Sequence, residues 1–172
     1  LARVVYQNPA AIGRMVAVQR RKGLTVPPNR LETPHLGVEH ADYLTTCGNE
    51  FTVNTYTYAD KPIFRLPMVV QQMWPWPENK DFEVSRRRFL WFGSRGMVHK
   101  GLDLVLEAFA RMPECQLTIV GPVRNEPEFA NVYRKELFHT PNIKCVGWLD
   151  KSSEEFRTVL EQSLAHVFPS CS

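Results

Sequence analysis

The sequence predicts an α/β fold with a Rossmann-like parallel sheet and helices on both of its faces. Short apolar runs recur about 22 to 27 residues apart from residue 89 onward, at 89–92, 116–120, 143–146 and 165–168. Amphipathic helical patterns fill the gaps between these runs. Strands that alternate with helices at this spacing are typical of right-handed crossovers in a parallel sheet.

Each gap carries its own apolar face at helical spacing. In chain order, the three predicted faces consist of Leu102, Val105, Leu106 and Phe109, then Phe129, Val132, Tyr133 and Leu137, then Phe156, Val159 and Leu160. Ser152 followed by Glu155 predicts a capping box at the start of the third helix.

A less regular βαβ pattern precedes Pro67. The predicted elements are a strand at 4–7, a helix at 10–21, a strand at 43–46, a helix at 49–58 and a strand at 63–66. Two prolines and two tryptophans without a sustained period follow, and they predict an interdomain connection at 71–88. We therefore expect two incomplete domains, at 1–70 and 89–172. Because the chain opens without Met and stops directly after an apolar run, it is expected to be an internal fragment.

Composition limits the class of protein. The chain has 172 residues, 44% of them apolar and 23% charged, with a net charge of +3, which is ordinary for a globular protein. The sequence contains no long apolar run of membrane-spanning length and no signal peptide, so we expect a cytoplasmic protein. Its four cysteines lack CxxC spacing, which favours reduced thiols over a metal site or a disulfide.

The stretch between Phe89 and Phe109 predicts an anion-binding site. An apolar run ends in Gly93-Ser94-Arg95-Gly96, and Lys100-Gly101 follow just before the next helix. Ligands of open parallel sheets bind at the carboxyl ends of the strands, where a helix also offers its amino end. Glycines allow close approach of the backbone, and each charge-assisted hydrogen bond to a phosphate contributes about 1.5 to 3 kcal/mol. Arg95 and Lys100 are therefore candidate diphosphate ligands.

Two known phosphate motifs do not fit this loop. A Walker A loop places Lys directly after its second glycine, whereas Lys100 precedes Gly101, and the glycine spacing differs from the dinucleotide fingerprint. A tight βα turn whose cations are merely solvated remains an open alternative.

The segments FGSRGMVHKGLDLVLEAF, LTIVGP, NIKCVGWLDKSSEEF and HVFPSCS occur in this order. Together they resemble the carboxyl-terminal domain of GT-B glycosyltransferases of the family 4 kind. A weaker similarity joins Ala41-Asp42-Tyr43 and 51–66 to the end of that family's acceptor-side domain. The resemblance implies a retaining, metal-independent hexosyltransferase without a cofactor. It further implies a nucleoside diphosphate-sugar donor and a sugar or lipid-linked acceptor.

The resemblance also implies roles for single residues. Arg95 and Lys100, with Gly93 and Ser94, match the segment that binds the donor diphosphate, although Ser94 intervenes where the family commonly has Arg directly after the glycine. The segments that frame the nucleotide are matched by Gly121, Val146, Gly147 and Trp148. The family's acidic motif lies past Ser172. We therefore expect an acidic residue within about two positions and a Glu about eight further on, to complete the phosphate site. Without that motif and most of the acceptor side, the fragment itself is expected to be inactive, and its catalytic residues stay unassigned.

Other residue groups support weaker alternatives. His35, Glu39, His40 and Asp42 are dense but match no zinc motif, so no metal site is predicted. A basic set formed by Arg14, Arg20, Arg21, Lys22 and Arg30 favours a solvated helix face, with peripheral contact to the inner face of a membrane left open. No nucleic-acid-binding motif accompanies this charge.

The functions that compete with a glycosyltransferase are a non-catalytic nucleotide or phosphosugar-binding module and a basic membrane or nucleic-acid adaptor, since fold alone cannot separate these classes. Neither the nucleobase, the sugar, the acceptor nor the oligomeric state follows from the sequence.

Overall fold

A computed structural model of the chain describes residues 9–25, 38, 40–54, 56–67, 70 and 73–170, with the backbone alone for 9–11 and 57. The predicted strand at 4–7 lies outside these residues. The chain divides into two compact units, one formed by Leu1–Tyr6 and Glu32–Met73 and the other by Gln7–Leu31 and Trp74–Ser172.

The described helices and strands are, in chain order, α1 (Pro9–Lys22), β1 (Leu44–Cys47), α2 (Glu50–Asn54), β2 (Ile63–Leu66), α3 (Phe82–Ser85), β3 (Arg88–Phe92), α4 (Leu102–Phe109), β4 (Gln116–Val120), α5 (Pro127–Val132), α6 (Arg134–His139), β5 (Ile143–Gly147), α7 (Glu154–Gln162) and β6 (Ala165–His166).

The first unit contains the predicted βαβ arrangement. Strands β1 and β2 are parallel, with Leu44 opposite Ile63 and Cys47 opposite Leu66. The helix between them, α2, is shorter than the predicted 49–58, and a 3₁₀ turn at Thr57–Ala59 follows it. β-branched residues and asparagine in this stretch have low helix propensity, which accounts for the early end.

Four parallel strands form the sheet of the second unit. Their order is β5-β4-β3-β6, with Phe89 of β3 opposite Leu117 of β4 on one side and opposite Ala165 of β6 on the other. The predicted parallel α/β sheet is confirmed. Strand β6 has only two residues, fewer than the predicted 165–168.

Helices cover both faces of this sheet, as predicted. Trp91 and Ile119 point into a core shared with α1, α4, α5 and α6, whereas Leu90 and Val120 pack on the opposite face with Phe156 of α7. All four residues of the predicted apolar face of α4 are buried. The connection from β3 to β4 therefore runs over one face and the connection from β5 to β6 over the other.

The second predicted helix is divided into two. Tyr133 adopts φ −102° and ψ 25° between α5 and α6, and its buried hydroxyl donates a hydrogen bond to Glu107 at 3.1 Å. Phe129 and Leu137 are buried as predicted, but Val132 is exposed. The tertiary bond to Glu107 accompanies a break that the periodicity alone did not indicate.

Helix α1 confirms the predicted helix at 10–21 and packs within the second unit. Met15 and Val18 are buried in the same core as α4. The predicted bounds placed α1 in the domain at 1–70 and α4 in the domain at 89–172, so this contact was not expected. Because Met15 and Val18 are buried in this core, the apolar face of α1 is partly covered and offers less surface to a membrane. No helix in the described part of the chain has the length and apolar content to cross a membrane.

The segment predicted as a connection, 71–88, is partly regular. Asp81 caps the short helix α3 by accepting a hydrogen bond from the Val84 N–H at 2.9 Å. Trp74 donates its indole N–H to the Lys151 carbonyl, and the Arg157 guanidinium lies 5.4 Å from the centroid of its ring. Trp74 therefore packs beside the start of α7.

The cap of α7 differs from the predicted capping box by one residue. Ser153, not Ser152, is the N-cap, and its hydroxyl accepts a hydrogen bond from the Phe156 N–H at 3.1 Å. Ser152 is engaged elsewhere, since both its N–H and its hydroxyl donate to the Asp150 carboxylate.

The Ser153→Ala variant is expected to lose about 1 kcal/mol of unfolding free energy, because an N–H of the first turn of α7 loses its acceptor. All four tryptophans lie in the second unit, so tryptophan fluorescence in a urea titration reports on this unit. Ser152→Ala is the matched control and should cost less. A larger loss in the control would restore Ser152 as the cap.

Candidate functional site

Three glycines align the carboxyl ends of the strands β3, β4 and β5. The Gly93 N–H donates to the Val120 carbonyl at 3.0 Å, and the Gly121 N–H donates to the Gly147 carbonyl at 2.8 Å. A Cβ on Gly121 would lie 2.5 Å from the Gly93 carbonyl oxygen. The structure thus brings three of the candidate site residues, Gly93, Gly121 and Gly147, to one edge of the sheet.

The chain changes direction across the sheet at β3. From β3 it passes over one face to β4 and β5, and it returns over the other face to β6 on the opposite side of β3. The loops after β3 and β6 therefore flank a topological switch point, which is where ligands bind in open parallel sheets. We call residues 93–101 the β3 loop and residues 167–170 the β6 loop.

The two loops touch at Gly101. Gly101 has φ +72°, and a Cβ there would overlap the backbone carbonyl and the ring of Pro169. The Ser170 hydroxyl is 3.5 Å from the His99 carbonyl oxygen, a long hydrogen bond. The glycine that follows Lys100 thus permits both a left-handed turn and the close approach of the β6 loop.

Lys100 lies across Gly93, at the junction of the loops. A Cβ on Gly93 would lie 3.2 Å from Cδ of Lys100 and 2.6 Å from the Trp91 ring, so only glycine leaves room for both side chains. Trp91 is fully buried and donates its indole N–H to the Lys100 carbonyl at 3.3 Å. The Lys100 ammonium is 5.4 Å from the centroid of the Phe168 ring. Trp91 therefore holds the backbone of Lys100, and Phe168 holds its ammonium by a cation–π contact, at the switch point.

The other half of the β3 loop is more open. Ser94 and Arg95 are exposed, and no hydrogen bond or ion pair to the residues that the structure describes holds the Arg95 side chain. The next two backbone N–H groups, of Gly96 and Met97, both donate to the Glu126 carboxylate. The candidate pair of cations therefore consists of a positioned Lys100 and an unrestrained Arg95.

The end of β5 carries the remaining candidate residues. Val146 packs with the core on the α7 face, and Gly147 has φ +87°. Trp148 is 53% exposed, with its ring centroid 6.0 Å from that of Phe92. An exposed aromatic ring thus stands beside the same edge as Gly121.

His166 ends the pairing between β3 and β6. Its Nε2 accepts a hydrogen bond from the Phe92 N–H at 3.2 Å, a donor that lies beyond the two paired residues of β6. Burial lowers the pKa of this imidazole, which favours the neutral ring that the bond requires. The Val167 N–H still donates to the Leu90 carbonyl of β3 at 2.8 Å, and the β6 loop then brings Pro169 against Gly101 of the β3 loop.

A buried ion pair between α1 and α4 lies next to the β3 loop and supports it. Asp103, in the first turn of α4, has no exposed surface, and its carboxylate accepts a hydrogen bond from Arg14 Nη2 at 2.7 Å. Arg14 Nη1 donates to the Val98 carbonyl at 3.0 Å. Burial raises the pKa of Asp103, whereas the nearby Arg14 guanidinium lowers it. Arg14 therefore contacts the chain on both sides of Lys100.

Sequence reasoning missed Glu126, Phe168 and the pair formed by Arg14 and Asp103 as parts of this region. Glu126 is about 30 positions from the amides it binds, and Arg14 is 89 positions from Asp103. Local periodicity carries no signal for such contacts. Phe168 lay within a predicted strand, so its place in a loop was not apparent.

The remaining candidate groups do not form a site among the described residues. His35, Glu39 and Arg30 lie outside them, and the described residues contain no cluster of three or more His, Cys, Asp or Glu side chains that would hold a metal. In the basic set, Arg21 pairs with Glu107 at 3.0 Å, and the Lys22 ammonium lies 5.3 Å from the Tyr133 ring centroid. Part of the predicted solvated face therefore contacts α4 and the residue between α5 and α6.

Comparisons of the chain with protein-family models, with curated proteins and with solved structures find no match. The function of this edge of the sheet must therefore be inferred from its residues and their geometry. Three observations are available for that inference: the switch point, the position of Lys100 and the aromatic edge at Trp148. All three features favour the binding of a ligand, and none of them identifies a group that would break a bond.

Proposed function

We propose that this chain is the donor-binding part of a GT-B glycosyltransferase of the family 4 kind, which transfers a sugar from a nucleoside diphosphate donor to a sugar or lipid-linked acceptor. The observation that carries the proposal is the place of Lys100. Its stem crosses Gly93 at the switch point of a parallel sheet, with the β6 loop on its other side. A cation held there favours an anionic ligand.

Lys100 provides more of the positive charge at the proposed site than the amino end of α4, the helix that follows it. The amino end of a helix carries a partial positive charge, but the first two residues of α4, Leu102 and Asp103, are buried. The Leu102 N–H is also already donated to the Met97 carbonyl. Lys100, with Arg95 folding onto the ligand from solvent, supplies the positive charge for a diphosphate.

The edge beyond the diphosphate suits a nucleoside. Gly121 and Gly147 bring the ends of β4 and β5 together without side chains, and the exposed ring of Trp148 borders that surface. Main-chain groups there would frame the base, in agreement with the family resemblance.

Lys100 would also act during transfer. When the glycosidic bond to the diphosphate breaks, negative charge grows on the departing phosphate, and a cation fixed beforehand stabilises that charge without reorganising. Transfer with retention and without a metal follows the resembled family. This role requires that the ammonium be in place before the donor arrives. The Trp91 indole holds the Lys100 backbone carbonyl, and the ammonium lies near the Phe168 ring.

The Lys100→Ala variant is expected to bind nucleoside diphosphates about tenfold to a hundredfold more weakly, equivalent to about 1.5 to 3 kcal/mol. Isothermal titration of the full-length protein, with its whole carboxyl-terminal domain, against UDP, GDP and ADP measures the effect, and Lys135→Ala, which removes an exposed lysine from α6, is the matched control. Arg95→Ala should cost less, because the loop does not position that side chain. Equal affinity of wild type and Lys100→Ala would refute the site, and the absence of binding to any nucleoside diphosphate would refute the function.

Transfer itself separates an enzyme from a non-catalytic binding module. The full-length protein, incubated with labelled nucleotide sugars, should release nucleoside diphosphate in the presence of acceptor, and Lys100→Ala should slow that release. Nucleotide binding that Lys100→Ala weakens, without release under any acceptor condition, would favour the binding module.

A further inference from the structure

Arg14 touches the β3 loop at two points that flank Lys100. One guanidinium nitrogen donates to the Val98 carbonyl at 3.0 Å, two residues before Lys100. The other donates to the Asp103 carboxylate at 2.7 Å, three residues after it. The segment between these points carries the cation of the proposed donor site, so its conformation is fixed from both ends.

The contact is sheltered from water. The Asp103 side chain has no exposed surface and that of Arg14 is 23% exposed. Neighbouring residues Met15 and Val18 anchor α1 in the core shared with α4. A charge-assisted hydrogen bond in such surroundings holds its geometry more firmly than an exposed ion pair.

From this geometry we infer that Arg14 is a positioning residue for Lys100. By fixing residues 98–103, its guanidinium keeps the Lys100 stem across Gly93 and its ammonium near the Phe168 ring of the β6 loop. The inference rests on the proposed function, because it assigns Arg14 a role in binding the same diphosphate without touching it. Helix α1, far from the loop in sequence, thereby becomes part of the donor site.

The role requires arginine. A guanidinium presents its donors as a planar fork, so it reaches a carbonyl and a carboxylate at once, whereas a lysine ammonium is a single point of charge. Arg14→Lys therefore retains a cation for Asp103 but loses the second link to Val98. Arg21, on the same helix, provides the matched comparison, since it pairs with Glu107 near the far end of α4 and is 58% exposed.

The test measures binding of inorganic pyrophosphate by isothermal titration. Arg14→Lys is expected to weaken binding about fivefold to twentyfold, whereas Arg21→Ala should remain within about twofold of wild type. The paired replacement Arg14→Met with Asp103→Leu removes the ion pair without leaving a buried charge. It should weaken pyrophosphate binding to a similar degree.

A double-mutant cycle separates positioning from general support of the fold. In a Lys100→Ala background, Arg14→Lys should have less than about a twofold effect, because no ammonium remains to be positioned. An equal loss in both backgrounds, or no loss in wild type, would overturn the inference while leaving the donor site intact. If the wild-type full-length protein fails to bind pyrophosphate and nucleoside diphosphates alike, the proposed function fails, and this inference with it.

Discussion

Replacing Arg14 with alanine is expected to lower the unfolding free energy of the second unit by about 3 to 5 kcal/mol. The substitution removes one partner of a buried ion pair and leaves the Asp103 carboxylate without its countercharge in a place from which water is excluded. Arg21→Ala is the matched control. It breaks a more exposed pair between the same two helices and should cost less than about 1 kcal/mol.

The loss of unfolding free energy in Arg14→Ala should increase as the pH rises. Burial raises the pKa of Asp103 in the folded protein, and Arg14 opposes that rise. Without Arg14 the folded-state pKa rises further above the unfolded value. The folded state then binds a proton that the unfolded state has released, so stability falls as the pH rises through this interval. Arg14→Ala should consequently be closer to wild type in acid than at neutral pH.

Urea titrations followed by tryptophan fluorescence, at about pH 5 and about pH 7.5, measure both effects. A loss below about 1 kcal/mol that does not change with pH would show that Asp103 finds another partner or stays hydrated. In Arg14→Ala combined with Asp103→Leu, most of the stability should return, because no charge is left buried.

Much of the second unit could be predicted from the sequence because its signals are local. Three of its four strands match the predicted apolar runs closely, and Leu102 and Phe109 of α4 lie in the core as their spacing indicates. A strand buried on both faces and an amphipathic helix each show their burial within one short stretch. The order of the strands adds the switch point, which periodicity cannot specify.

Contacts between distant segments could not be predicted. The helix period did not indicate that α5 ends at Val132, since the break at Tyr133 accompanies a hydrogen bond from its hydroxyl to Glu107, 26 positions away. Nor did the charge pattern of α1 show that Arg14 pairs with a fully buried aspartate. In each case one polar group in the core decides the local structure, and its partner comes from another element.

In the candidate site too, local features could be predicted and contacts between distant segments could not. Gly93, Gly121 and Gly147 were expected at strand ends, and the structure puts them on one edge. The groups that hold Lys100 in place, Trp91 and Phe168, belong to β3 and to the β6 loop. Residue type and spacing therefore indicated which residues carry charge, whereas their positioning depends on side chains that meet only in the folded chain.

Gly101→Ala is expected to destabilise the second unit by about 2 to 5 kcal/mol. A residue other than glycine in a left-handed conformation costs about 1 to 2 kcal/mol, and Gly101 has φ +72°. Its new Cβ would also overlap the backbone of Pro169, which cannot rotate away as a flexible side chain would. Relief of that overlap requires the β6 loop to move, at a further cost of about 1 to 3 kcal/mol.

Gly147→Ala separates these two contributions. Gly147 also has positive φ, at +87°, but nothing lies within 4 Å of a Cβ there, so only the conformational cost of about 1 to 2 kcal/mol should appear in a urea titration. The difference between the variants measures the contact between the β3 and β6 loops. Displacement of the β6 loop would carry Phe168 away from the Lys100 ammonium, so folded Gly101→Ala should also bind pyrophosphate more weakly than wild type. Equal losses of stability in both glycine variants would mean that a Cβ at Gly101 meets no steric overlap with the β6 loop. The close approach of the two loops, which places Lys100 at the switch point, would then be refuted.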